Sequence, residues 1–326
     1  MGALSSFRIC DFTGQLAGAG ATRHLAALGA QVIRIEDPSN NGTWDALRGG
    51  PPYKDERRGI EMSGCFNNHN VEKLGITLNV RTARGKELLR RLIGISDVVA
   101  ENFAAGVLDR WGFGFKVMQG IKPDIIYVSN CGFGHIGPYR SYKSWGSIVQ
   151  AVSGLTSLAG LPGMPPSGWG MSYMDHVGGY YQAISILMAL VHRNRSGEGQ
   201  WVDMSCIEAG TCLTGPAILD YTVNGREYRR PGNPDSNHSA WPPIAPHNIY
   251  RTAGDDCWVA IACRDERDWA ACAGVAEQFS GIGAGFAAQF DDAHAFQCGL
   301  LNRLAHIVPS SCSEAISAVP MPSSSP

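Results

Sequence analysis

Residues 7–38, FRICDFTGQLAGAGATRHLAALGAQVIRIEDP, decide the fold. An apolar run, FRICDFT, meets a glycine-rich turn, GQLAGAG; ATRHLAALGA then has helical character, and QVIRIEDP is a second apolar run. Strand, turn, helix and strand in that order predict a βαβ unit, whose two strands run parallel because a helix carries the chain back between them. The pattern recurs downstream. A helix from about Thr82 to Ile93 leads into the strand DVVAEN, and PDIIYVSNCGFG adds a strand that ends in another glycine loop. Strands alternating with helices predict a parallel sheet covered on both faces, the α/β class with a large Rossmann-like domain.

Further along, in GMSYMDHVGGYYQAISILMAL (170–190), Tyr180, Ala183, Ile184, Leu187, Leu190 and Val191 recur at helical spacing from Val177 to His192. Asp175 falls at the start of that helix, where a carboxylate is favoured as a cap for free backbone N–H groups. NRSGEGQ ends the helix and WVDMS is a short strand. These elements define a large domain over 1–215. Residues 216–246, rich in Pro, Gly and Asn, are expected to form a linker. Residues 247–300 offer a hairpin and a helix start, part of a second, smaller α/β domain, and the Ser/Pro-rich 301–326 is expected to be a flexible tail.

The 326-residue chain is 44% hydrophobic and 17% charged, enough for a substantial core, and its net charge of −2 argues against nucleic acid as a partner. No run approaches the length of a membrane span. Ten cysteines are scattered without a CxxC pair or zinc spacing, which points to reduced thiols in a cytoplasmic compartment and to no metal site.

Gly14, Gly18 and Gly20 do not make GxGxxG, so the first loop lacks a dinucleotide fingerprint even though Glu36 ends the next strand. There is no GxSxG nucleophile elbow, and His176 and His192 are too far apart along one helix to share a metal.

Four segments taken together resemble the class III CoA-transferases, the family of formyl-CoA:oxalate and carnitine CoA-transferases and the related 2-methylacyl-CoA racemases. They are DFTGQLAGAGATRHLAALGAQVIRIEDP, VEKLGITLNVRTARGKELLRRLIGISDVVAENFAAGVLDRWGFGF, IIYVSNCGFGHIGPY and DHVGGYYQAISILMALVHRNRSGEGQWVDMSCIEA. The resemblance implies that Asp175 is the catalytic nucleophile, ionised at neutral pH, and that CoA passes from an acyl-CoA to a small carboxylic acid through an aspartyl anhydride and an aspartyl-CoA thioester. It implies CoA contacts at Leu16, Ala17, Lys73, Leu74, Asn102, Phe103 and Arg110, with Lys73 and Arg110 supplying phosphate charge and Phe133 at the pantetheine end. Gly178 and Gly179 are expected to let the CoA sulfur approach the backbone. No tightly bound cofactor is implied, the CoA thioester being a substrate, and the assembly is expected to be a homodimer, interlocked as in the family.

The departures bear on the rivals. Trp145 stands where the racemase branch has its histidine, which disfavours an isomerase, and the glycine-run lid of the oxalate branch is replaced by SNHSAWPPIAPHNIY. The family's C-terminal return to the large domain is expected to be missing, by truncation or an altered reading frame, which leaves a non-catalytic CoA-binding remnant as the other alternative.

Overall fold

The computed structural model describes residues 2–40, 45–160, 164–170, 172–229, 244, 246–251, 255, 256 and 258–280. The tail expected over 301–326, and the last part of the smaller domain from 281 on, lie outside the described residues. The chain divides into two compact units, 1–160 with 164–228, and 161–163 with 229–326.

In the first unit six strands form one sheet in the order β3-β2-β1-β4-β5-β6. They are β1 (Arg8–Asp11), β2 (Gln31–Glu36), β3 (Leu74–Thr77), β4 (Val98–Glu101), β5 (Ile126–Cys131) and β6 (Trp201–Ser205), and every pairing is parallel. This is the doubly wound order, with its direction reversing between β1 and β4, where the loops after the strands part and leave a crevice. The sheet has helices on both faces because its central strands alternate between two apolar sides. Ile9, Val98, Ala100, Ile126 and Val128 pack with helices α1 (Ala17–Ala27) and, further on, Tyr173–Ser196. Cys10, Val99 and Tyr127 face the other way, onto the helices that follow β3 and β4.

Those are α3 (Ala83–Gly94), α4 (Val107–Trp111) and α5 (Phe115–Ile121), after the short α2 (Gly64–His69) of the β2–β3 connection. The helix expected from Thr82 is observed, and its start has a local cause: Thr82 is the N-cap, its hydroxyl accepting the Gly85 N–H at 3.0 Å. After β5 come α6 (Gly146–Val152), α7 (Leu155–Leu158) and the long α8 (Tyr173–Ser196). That helix starts four residues before the Val177 of the sequence pattern, with Ser172 as N-cap, and ends at Gly197 with φ 77°. Asp175 is therefore inside the first turn and is not the cap.

Gly179 lets α8 close on α1, since a Cβ there would lie 2.6 Å from the Ala17 carbonyl oxygen. Beyond β6 lie α9 (Cys206–Leu213) and α10 (Gly215–Asn224), so the stretch expected to be a linker opens with a helix. The second unit holds an antiparallel hairpin, β7 (His247–Arg251) with β8 (Trp258–Ala262), and then α11 (Glu266–Ser280), the hairpin and helix start expected there.

Candidate active site

At the crevice between β1 and β4 lies a cavity of about 650 Å³, built wholly from the first unit. The loop after β1 contributes Gly14 to Ala17, the loop after β4 Asn102 and Phe103, and the end of β5 Asn130 to Gly132. Ser144 to Ser147 at the start of α6, Asp175 on α8 and Cys206 on α9 close it. Asn102 clasps the first loop, accepting the Gly14 N–H at 2.8 Å and donating to the Gly14 carbonyl at 3.0 Å. Gly18 makes room for that clasp, because a Cβ there would lie 2.5 Å from the Asn102 side chain.

Asp175 is half-buried, and its carboxylate has no hydrogen-bond or ion-pair partner among the described residues. Burial pushes its pKa up to about 6. Placement in the first turn of a helix favours the charged form, but desolvation outweighs it. The carboxylate is thus mostly ionised at pH 7, more basic than an exposed aspartate and unpaired with protein. It lies against α6, where a Cβ on Gly146 would be 2.6 Å from Asp175 Oδ2.

The two cysteines of the wall are held neutral, the Cys131 and Cys206 thiols both being pushed up to about 12, chiefly by burial. Cys206 Sγ donates to Asn130 Oδ1 at 3.0 Å, and Asn130 in turn donates to Gln182 Oε1 at 3.0 Å. The thiol proton is therefore engaged by Asn130.

Beneath Phe103 is a buried group that sequence reasoning missed. Glu101 accepts the Tyr127 hydroxyl at 2.8 Å and the Phe103 N–H at 2.6 Å, and His135 Nε2 lies 3.3 Å from it. Burial raises the Glu101 carboxyl to about 8 and lowers the His135 imidazole, disfavouring the charged form of each. The strand pattern DVVAEN carried this acid at its end, but nothing local distinguished it from a solvated one.

Of the residues expected to contact CoA, Leu16, Ala17, Asn102 and Phe103 come together on the cavity wall with Asp175, and four do not. The Lys73 side chain is 1% exposed, its ammonium 3.3 Å from Asp11 Oδ2 and 3.0 Å from the Ala19 carbonyl oxygen. Its ammonium is thus engaged within the fold, off the cavity lining. Leu74 opens the edge strand β3 and is exposed, away from the cavity lining. Arg110 is exposed on α4, donating to the Ala105 carbonyl at 3.2 Å, with no carboxylate partner among the described residues. Phe133 packs edge-on against Tyr142 and beside Tyr139 rather than on the cavity wall, although its neighbours Cys131 and Gly132 are there.

The expectation for Gly178 and Gly179 is corrected by the packing around them. The space beside Gly178 is filled by Cys206 Sγ and that beside Gly179 by Ala17, so protein atoms, not a ligand, occupy both. Trp145 does reach the cavity, 66% exposed, at its edge. Among the described residues no cluster of His, Cys, Asp and Glu could hold a metal, and no helix is long and apolar enough to cross a membrane.

A doubly wound parallel sheet with an unpaired carboxylate facing the crevice at its switch point is the framework of an α/β protein that binds a ligand there. Residues 4–296 match the profile of CoA-transferase family III, and the chain belongs to that family. It is 34% identical over 258 residues to the succinyl-CoA–D-citramalate CoA-transferase of Chloroflexus aurantiacus, covering 79% of this chain and 61% of that protein. To the succinate–glutarate CoA-transferase of Agrobacterium fabrum it is 34% identical over 251 residues, covering 77% of this chain and 61% of the relative. The chain thus spans about six tenths of the length of these relatives. A crystal structure of a CaiB/BaiF family protein from Brucella suis superposes with a TM-score of 0.76 at 29% identity, covering 97% of this chain and 79% of that one.

Proposed function

We propose that the protein is a CoA-transferase that moves CoA from an acyl-CoA to a carboxylic acid through covalent intermediates on Asp175. The observation that carries this reading is the Asp175 carboxylate, unpaired with protein, on a cavity wall shared with Leu16, Ala17, Asn102 and Phe103. Asp175 attacks the thioester carbonyl, forming an acyl-aspartyl anhydride and releasing CoA thiolate. The thiolate then attacks the aspartyl carbonyl, expelling the first acid as its carboxylate and leaving an aspartyl-CoA thioester. An acceptor carboxylate attacks that thioester to form a second anhydride and release thiolate again, and the thiolate takes the new acyl group, regenerating Asp175. Every bond broken is matched by one formed, so no net oxidant, metal or proton is consumed.

The environment suits these steps. An Asp175 pKa near 6 gives a carboxylate that is both basic and populated at pH 7. The Cys131 and Cys206 thiols, held protonated, are poor competitors for the anhydride. Trp145, on the wall where an isomerase base is wanted, carries no proton-abstracting group. Seven described cysteines are free, which supports a cytoplasmic setting. The exposed α8 side chains Tyr180, Ile184, Met188 and Val191 support association into a homodimer.

Intact-mass spectrometry after mixing with succinyl-CoA and a panel of other acyl-CoAs tests the mechanism. The expected result is a covalent adduct, removed by hydroxylamine and mapped to the peptide bearing Asp175. No adduct and no transfer with any donor, in a protein that does bind CoA, would leave only the binding-remnant reading.

A further inference from the structure

The loop after β1 holds an uncommon backbone state. Gln15 has φ 53°, the left-handed region that glycine enters freely and a residue with a Cβ does not. Such a state persists only where its surroundings over-determine it, and here the agent is visible. The Gln15 N–H donates to Asp45 Oδ2 at 3.1 Å. The same oxygen accepts Arg34 Nη2 at 2.6 Å, while Asp45 Oδ1 accepts the Leu47 N–H at 3.0 Å.

Both ionic side chains are out of water, Arg34 being 2% and Asp45 0% exposed. Arg34 is held in turn by Glu36 at 2.9 Å and Asn70 at 2.7 Å, so the carboxylate has a fixed position. Gln15 and Leu47 both line the cavity, one in the loop after β1 and the other in the connection that follows β2. One buried carboxylate therefore ties together two separate walls.

An apolar pair of similar volume would support the sheet as well as a buried ion pair does, because desolvation offsets most of the attraction between the charges. It would not accept two backbone N–H groups from two loops. We propose that Asp45 is a positioning residue for the acyl-CoA cavity, holding Gln15 in its left-handed state and thereby setting the wall formed by Gln15, Leu16 and Ala17 against Leu47. The ligand in this statement rests on the transferase reading above. The bridge itself rests on the Asp45 contacts alone.

Three substitutions separate the backbone from the side chain. Gln15→Gly keeps the N–H and removes the conformational penalty, so it should melt at a higher temperature than wild type and bind coenzyme A more tightly than a variant that loses the backbone contact. Gln15→Pro forbids positive φ and deletes the N–H while leaving Asp45 with Arg34 and Leu47. A wall displaced by this change should weaken coenzyme A binding roughly 10- to 100-fold in calorimetric titration. If that variant does not fold, Leu47→Pro replaces it. Leu47 lies in the first turn of the short 3₁₀ helix Ala46–Gly49, where proline is tolerated, and the change removes the other arm of the bridge with the same expected loss.

Proline variants that bind as tightly as wild type would overturn the proposal. So would a Gln15→Gly variant as weak as Gln15→Pro, because the side chain and not the backbone position would then carry the effect. A wild-type protein that takes up no coenzyme A would remove the transferase reading and this proposal with it, a result recognisably different from the other two.

Discussion

Asp11, at the end of β1, and Asp175, in the first turn of α8, are two carboxylates withdrawn from water in the same unit, and they are treated in opposite ways. Asp11 is 0% exposed and fully engaged, accepting the Thr13 N–H at 2.9 Å and the Thr22 hydroxyl at 2.9 Å, with the Lys73 ammonium 3.3 Å away. Asp175 has no partner among the described residues and faces a cavity. A carboxylate whose lone pairs are all used fixes structure. One that is partly desolvated, with no protein partner, keeps its lone pairs free for a ligand, and its raised pKa makes it more basic than an exposed carboxylate.

The largest expected effect tests this contrast directly. Asp175→Asn should lower CoA transfer roughly a thousandfold or more, because an amide cannot form the anhydride, while leaving the melting temperature unchanged or raised. Asp11→Asn should do the reverse, costing about 3–5 kcal/mol in denaturant unfolding as Lys73 is left buried without its counter-charge. Activity per folded molecule should survive in the Asp11 variant. If the Asp11 variant is inactive at full stability, or Asp175→Asn unfolds, the division into structural and chemical carboxylates is wrong.

Acid should separate the two regions next. The folded-state pKa of Asp175 is raised from 3.8 to about 6, so the folded protein holds a proton there that the unfolded chain has lost. Its effect on stability is therefore unfavourable as pH rises from about 4 to 6, by up to about 3 kcal/mol at completion. Glu101, raised to about 8, acts in the same direction over a wider window, so the readout is the difference between wild type and Asp175→Asn. Relative to that variant, wild type should lose stability between pH 4 and 7, measured by paired unfolding curves. Adduct formation from acyl-CoA should fall about tenfold per unit below pH 6 and level off above. A flat profile through pH 6 would mean that Asp175 is not the titrating nucleophile.

The sheet was legible because its causes are local. Alternation places Ile9 and Cys10 on opposite faces, Thr82 caps α3, and Gly197 stops α8, each within a few residues of the element it shapes. The cavity was only partly legible, since its walls come from distant segments that local pattern does not link. Lys73 looked like a surface cation ready for phosphate, and no spacing rule shows that the approach to β3 turns its ammonium under Asp11, sixty-two positions away in sequence. Gly178 and Gly179 looked like openings for a ligand because an absent side chain is visible in sequence, whereas the Cys206 and Ala17 atoms that fill the space are not. The role expected of Asp175 came from resemblance. Its lack of a partner, the property that sets it apart from Asp11, was not accessible from the residues around it.

A smaller effect should follow from the side of Asp175 that touches protein. Gly146 lies beside its carboxylate, and an added methyl would lie 2.6 Å from Oδ2. Gly146→Ala should displace the nucleophile by a fraction of an ångström to one ångström and lower the rate of adduct formation by roughly 10- to 100-fold. Coenzyme A binding, which we propose draws on the loops after β1 and β4, should be nearly unchanged. Single-turnover kinetics alongside a CoA titration separates the two quantities. Equal losses in both would show that the start of α6 shapes ligand binding and not the position of the nucleophile.

The smallest expected effect lies at Arg110, and it sharpens the contrast between cations as Asp11 and Asp175 do between acids. Lys73 is buried and paired, so its charge belongs to the fold. Arg110 is exposed, tied only to the Ala105 carbonyl oxygen, and stands on α4 just beyond the loop that carries Asn102 and Phe103. A phosphate of CoA reaching that helix would meet a solvated guanidinium, and solvated charge pairs contribute about 1 kcal/mol or less. Arg110→Gln should therefore weaken coenzyme A binding only about two- to fivefold at low ionic strength, with no change in melting temperature. The loss should shrink as salt is raised, because the screening length falls to about 3 Å in 1 M salt. The catalytic rate at saturating acyl-CoA should be unaffected, since the interaction is the same in ground and transition states. A salt-independent loss larger than about tenfold would mean that Arg110 closes onto its ligand out of water, and an unchanged affinity at low salt would place the phosphates elsewhere on the rim.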